Sequence, residues 1–247
     1  MSARSPEVAH VAPLAALLGV GLIGGFAPGG EDEVLLWLYP VQTAAGLALI
    51  SLFWSSYDFG PMRPGAVLRA VVAAPLALLL WVAPSWLFVR YGEPGWAQSQ
   101  VPGFGRALCT VLGLADRTEG FNPADYSGTW VSPQVGLALR FLRLGIVVPL
   151  AEEICWRGYV MRLVDDSERR FFENSFGRHR WRTYAIVTGL VVLVHQPVDW
   201  VGAFCFGSIA YWLAVTSKSL GVCVIFHALV NLLLGVYVLG TRQWGYW

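Results

Sequence analysis

Two adjacent glutamates sit inside an otherwise apolar run, 145-GIVVPLAEEICWRGYVMRLV-164. Glu153 and Arg157 are spaced i,i+4, so on a helix they share a face and can pair. Glu152 is turned by about 100° from Glu153 and stays available. Pro149 removes a backbone hydrogen bond just before them and predicts a bend. Further along, His195 lies in 191-VVLVHQP-197, and His227 and Asn231 lie in 225-IFHALVNLLLG-235. The last two again share a face. A carboxylate and a histidine can together polarise a water for attack on a carbonyl. A second histidine and an amide NH₂ can donate hydrogen bonds to the oxyanion that forms. Glu152, His195, His227 and Asn231 are therefore parts for water-mediated peptide hydrolysis. Cys155, three residues after Glu152, is read as packing and not as a nucleophile.

These residues need apolar elements to position them. Of the 247 residues, 56% are hydrophobic and 13% charged, against about 25% charged in a soluble domain. Apolar runs of about 18 or more residues can cross a hydrocarbon core as helices. Seven are read, at 9–27, 34–54, 67–89, 135–162, 183–197, 199–217 and 220–240, the fifth being short. The expected fold is an all-α polytopic transmembrane bundle of about seven (six to eight) helices, one domain over 1–247. Its catalytic core helices would lie in 135–240, and 90–134 would be a polar loop on the outer side. In that loop 93-EPGW-96, 102-PGFG-105 and 122-NPAD-125 carry turn chemistry. The stretch around Arg106–Leu114 reads as a short interfacial helix. The first segment ends at Pro28, Gly29 and Gly30 without a clear cleavage site and is read as a retained helix.

Lys and Arg in short loops give the orientation. Arg162, Arg169, Arg170, Arg178, Arg180 and Arg182 fall between segments four and five, which makes that loop cytoplasmic. Alternation then puts Arg63, Arg69, Lys218 and the N-terminus with Arg4 inside. It puts the loop of Glu31, Asp32 and Glu33 outside, together with the C-terminal 243-QWGYW-247, read as an aromatic interfacial anchor. His179 is read as solvated in the basic loop and Asp199 as an outer-loop residue without a role at the site. The expected location is the cell inner (cytoplasmic) membrane, multi-pass. Counting about 1.5 Å per residue from the cytoplasmic helix ends, Glu152 lies roughly 16 Å deep, His195 roughly 18 Å, His227 roughly 10 Å and Asn231 roughly 16 Å. Polar groups on three helices thus fall in one layer. Charges at that depth are costly and usually functional.

Glu152-Glu153-x-x-x-Arg157-Gly158, a single histidine on a later helix (His195) and a final His227-x-x-x-Asn231 resemble the signature of the CAAX-protease and bacteriocin-processing (Abi) family of intramembrane endopeptidases. The order and spacing fit over about 145–235. The ending 227-HALVNLLLGVYVLGTRQW-244 also resembles the bacterial CAAX prenyl protease-related branch linked to exosortase sorting systems. The resemblance implies a helical intramembrane fold with a cavity open toward the cytoplasm. It implies Glu152 as the base that activates water, His195 as the group that orients it, His227 and Asn231 as the oxyanion site, and Glu153 with Arg157 as support. Val191 stands where the family often has Phe, which bears on the shape of the cavity wall.

The expected partner is a membrane-associated protein or peptide within the lipid bilayer. No basic stretch interleaved with aromatics points to nucleic acid, and the net charge is +1. No cofactor is expected; the competing reading is zinc held by Glu152, His195 and His227, with an open fourth position. The four cysteines, Cys109, Cys155, Cys205 and Cys223, have no zinc-ribbon or disulfide spacing. From another class comes a membrane scaffold, immunity protein or transporter, in which buried Glu and His relay protons. No inverted repeat supports the transporter.

Overall fold

The computed structural model describes residues 5–24, 26, 31–92, 94–95, 103–127, 129 and 131–247. The readings made on Arg4, on Pro28 to Gly30, on the side chains of Glu31, Asp32 and Glu33, and on parts of the turns at 93–96 and 102–105 lie outside the described residues.

Regular structure among the described residues is helical. The helices are α1 (Pro6–Gly24), α2 (Glu31–Leu52), α3 (Pro64–Tyr91), the short α4 (Phe104–Val111), α5 (Pro133–Asp165), α6 (Trp181–Leu193), α7 (Trp200–Ser217) and α8 (Leu220–Thr241). Among the described residues, five spans have the length and apolarity to cross a membrane: α1, α3, α5, α8, and α7 with the preceding turn from Pro197. Apolar stretches at Leu36–Leu52 in α2 and along α6 are shorter. The chain is thus a multi-pass helical bundle. Large apolar side chains face outward, Val72 at 67% and Leu79 at 61% exposure among them. Such a surface suits lipid and not water.

The interior is held by small residues. Ala66, Ala70, Ala74 and Ala77 recur every three or four positions along α3 and form one buried stripe. Phe206, Ala210 and Leu213 of α7 and Val222, Phe226 and Val230 of α8 pack on it. Without side-chain bulk the backbones approach closely, which is how helices associate where lipid removes the hydrophobic driving force. Gly46 of α2 serves the same purpose against α5, because a Cβ there would lie 2.3 Å from Val147 Cγ1.

The bundle has two distinct ends. At one, the Phe59 carbonyl accepts from Gly221 N (2.8 Å) and Ser219 Oγ (3.0 Å), and His10 packs edge-on to Phe171 and Tyr57. The basic loop 166–180 lies at this end. His179 is not solvated: its Nδ1 lies 3.1 Å from Tyr211 Oη, and its ring packs on Trp212 and Trp181, because the loop folds back on α7. At the other end, Asn122 and Asp125 cap each other's backbone around the turn Pro123–Tyr126. Gly245 N donates to Arg117 O there at 2.8 Å.

The fifth apolar segment departs from expectation. α6 has 13 residues and stops at Leu193. His195 is therefore on the turn between α6 and α7, not within a helix. The breaker is Pro197, which disfavours helical geometry in Gln196 before it (φ −64°, ψ 148°). This turn does not stand free, because α4 packs against its 197–199 part.

Candidate active site

The helix that carries the glutamates is irregular where the chemistry would be. α5 widens into π-type turns at Arg143–Val147 and Ile154–Val160, on either side of Val148–Glu153. π-bulges are frequent at functional sites. Val148 N–H bonds Arg143 O instead of the Leu144 O of an α-register, and Pro149 has no N–H to offer. The Leu144 carbonyl is thereby freed, and Asn231 Nδ2 donates to it at 3.0 Å. The predicted effect of Pro149 is thus a wide turn bridged to α8.

Glu153 is fully buried and faces a cluster of donors. Arg157 Nη1 donates to its Oε1 at 3.1 Å, as the i,i+4 spacing predicts. His227 Nδ1 lies 2.9 Å from the same oxygen. Arg157 Nη2 also reaches the Gly207 carbonyl on α7 at 3.4 Å. One carboxylate therefore ties α5 to α8, and its arginine partner ties α5 to α7. Gly158 lets α1 approach, since a Cβ would stand 3.3 Å from His10 Cδ2.

Glu152 points elsewhere, into a cavity of about 470 Å³. The same cavity is lined by His195, His227 and Asn231, so the four come together in one space. His195 Nδ1 donates to Val191 O at 2.7 Å. This leaves Nε2 as an acceptor, while the ring rests edge-on against Trp81. His227 is held in the same sense: with Nδ1–H on Glu153, its Nε2 accepts in the neutral ring and donates only in the imidazolium. Asn231 keeps one amide hydrogen beyond that used on Leu144. Cys155 packs with Leu14, Trp156 and Val191, outside the cavity lining.

Both histidines present a free Nε2 behind an anchored Nδ1, the usual posture of a metal ligand. Their spacing does not follow suit. Among the described residues no three His, Cys, Asp or Glu side chains stand close enough to hold a metal ion. The set Glu152, His195 and His227 does not fit zinc as it stands, and Cys155, Cys205 and Cys223 are thiols outside any disulfide.

Other residues at the cavity were not anticipated as part of it. Asp199 lines it and pairs with Arg117 of the 103–127 segment at 2.6 Å, so it is no detached loop residue. The shortness of α6 draws it in. Tyr246 and Trp247 also line the cavity. Their rings are half-buried, where an interfacial aromatic anchor was expected. Burial pushes the Tyr246 phenol up to about 12, so it stays neutral. The cavity runs from Glu152 and His227 toward Tyr246, away from the basic loop. Arg143 of α5 lines it as well. The signal for it was present as two arginines, Arg140 and Arg143, inside the fourth apolar segment.

Residues 134–233 match the model of a protein family described as type II CAAX prenyl endopeptidase, Rce1-like. This is the family that the EExxxRG, His and HxxxN motifs resemble. Neither the curated proteins nor the solved structures gave a significant match.

Proposed function

We propose that this member of the Rce1-like CAAX endopeptidase family hydrolyses a peptide bond near the C-terminus of a membrane-associated protein, using Glu152 as the base. The observation that carries the reading is the single cavity lined by Glu152, His195, His227 and Asn231 on three different parts of the bundle. A water there donates one hydrogen to the Glu152 carboxylate and the other to His195 Nε2, which the Val191 bond leaves as an acceptor. Its lone pair then faces the scissile carbonyl. Glu152 takes the proton as the C–O bond forms and passes it to the leaving amine. The oxyanion is met by the second Asn231 amide hydrogen and by His227, acting as an imidazolium against Glu153. Arg157 offsets the Glu153 charge, so the cationic His227 is balanced by Glu152 itself. No step requires a metal.

The test is expression of the wild type and Glu152→Gln in a host lacking the gene, followed by mass spectrometry of membrane-protein C-terminal peptides. Termini shortened only by the wild type identify an endopeptidase and its substrates. Identical profiles from an equally abundant, folded variant would instead support a scaffold or transporter. Activity that vanishes on chelation and returns with zinc would overturn the metal-free mechanism.

A further inference from the structure

A second cavity, of about 370 Å³, lies at the end of the bundle that carries the basic loop. At this level α1, α3 and α8 begin (Pro6, Pro64, Leu220), and α2 and α5 stop (Leu52, Asp165). Where spans end, hydrocarbon gives way to headgroups. The lining includes His10, Ser56, Asp58, Arg162, Phe171 and Phe172. Three of these have bonding capacity left over. Arg162 spends Nε on the Asn174 carbonyl (3.0 Å) and Nη2 on that of Phe172 (2.9 Å), which leaves Nη1 without a partner among the described residues. His10 is 5% exposed. Its Nδ1 donates to the Pro6 carbonyl at 2.8 Å, so Nε2 of the neutral ring is an acceptor. Asp58 accepts from Gly60 N on Oδ1 and keeps Oδ2. Asp58 and Arg162 attract each other, yet they do not close into an ion pair. Phe171 fixes the other two, its ring centre 4.9 Å from that of His10 and 5.7 Å from the Arg162 guanidinium. A cation with donors to spare thus comes from α5, and two acceptors come from α1 and the α2–α3 link.

We propose that this cavity receives a molecule carrying a primary ammonium and a phosphate a few bonds apart, as an ethanolamine phosphodiester does. Arg162 Nη1 and Ser56 Oγ donate to the phosphate oxygens, and Asp58 Oδ2 and His10 Nε2 accept from the ammonium. The level of the cavity makes a phosphatidylethanolamine headgroup the nearest source, and a soluble phosphodiester of the same chemistry is the other. Val8, between the lining residues Pro6 and His10, is 52% exposed and offers an acyl chain apolar surface. A trimethylammonium has no N–H to give, and a phosphoglycerol has no cation, so the site separates three common phospholipids. The occupant bears on α5. Gly158 lines the cavity next to Arg157, and a Cβ on it would stand 3.3 Å from His10 Cδ2. A filled cavity therefore braces the π-type stretch Ile154–Val160, which aims Arg157 at Glu153. None of this depends on whether Glu152 acts as a base.

The experiment uses the full chain in detergent, offered phosphatidylethanolamine, phosphatidylcholine and phosphatidylglycerol of the same acyl chains in equal amounts. Retained lipid is read by native mass spectrometry. Thermal unfolding is followed with each lipid and with soluble glycerophosphoethanolamine. Phosphatidylethanolamine is expected to be retained about tenfold over the other two, the worth of one charge-assisted hydrogen bond, and to raise Tm. Asp58→Asn alters an exposed side chain and keeps an oxygen for Gly60 N, and it should erase the preference over phosphatidylcholine. Arg162→Gln releases the phosphate end, so retention of both lipids falls together. A rise in Tm with the lipid alone supports the site and assigns it to the membrane. An equal rise with glycerophosphoethanolamine supports it and assigns it to a soluble phosphodiester. Equal retention of the three lipids overturns the proposal, as does a preference for phosphatidylglycerol, because the cavity then reads an anion alone. A preference that survives in Asp58→Asn overturns it as well, by placing the lipid elsewhere. Should Arg162→Gln not fold, the three-lipid comparison and Asp58→Asn still decide.

Discussion

His227 Nδ1 stands 2.9 Å from Glu153 Oε1, so a residue in the first half of α8 has its ring orientation set by the glutamate beside the proposed base. The relationship separates the two adjacent carboxylates. Glu152 faces the cavity, whereas Glu153 is turned to His227. Glu153→Gln keeps the size but weakens the hold on the imidazole and on its charged form. A partner of this kind typically accounts for about 10–100-fold in activity. The loss is expected in kcat, with KM nearly unchanged, and single-turnover kinetics would register it. A variant with unaltered kcat would show that the contact does not orient His227 for catalysis.

Arg157→Ala leaves Glu153 buried with only the histidine to answer its charge. Removing one partner of a buried pair costs about 3–5 kcal/mol. The His227 contact offsets part of that, so a loss of about 3 kcal/mol is expected. Thermal unfolding in detergent should show a clear fall in Tm. An unchanged Tm would mean that the Glu153–Arg157 pair does not stabilise the fold.

The Arg117–Asp199 pair pins the 103–127 segment over the α6–α7 turn, with side-chain exposures of 8% and 17%. Arg117→Ala removes a charge-assisted hydrogen bond of about 1.5–3 kcal/mol. Amide hydrogen exchange should quicken in 103–127 and around His195 while the α3–α7–α8 core stays protected. Exchange that is unaltered in both segments would argue that α4 alone holds the turn.

Gly46→Val drives a side chain into Val147 on the π-type stretch of α5. Overpacking of this kind costs about 1–3 kcal/mol. Because the pressure falls beside the Leu144 carbonyl that Asn231 caps, activity should drop along with stability. The paired Gly46→Ala variant, assayed for both, should sit between the valine variant and the wild type.

The apolar segments are legible because lipid imposes length and apolarity on each span separately, and five of them reach spanning length among the described residues. The Glu153–Arg157 pair is legible for the same reason, being a property of one helix. What escaped is tertiary. That Glu153 contacts His227 depends on how α5 crosses α8, and no spacing encodes it. Asp199 looked like a loop residue because its segment was expected to exit the bundle, whereas α6 ends early and leaves the turn inside. The C-terminal aromatics read as an interfacial anchor by composition, yet the docking of Gly245 on Arg117 turns them inward. Arg140 and Arg143 sat inside an assigned span, but the polar reading began only at Gly145.

α6 is 13 residues long, about 20 Å at helical rise, against a hydrocarbon core of about 30 Å. Its exposed end, with Leu193 at 66% exposure, meets lipid well short of the far surface. A bilayer meeting a short helix thins around it. A bilayer on that flank would have to thin to match α6, which would bring headgroups and water nearer to His195. A hydrophilic peptide tethered to the membrane thus has a shorter distance to travel to reach it.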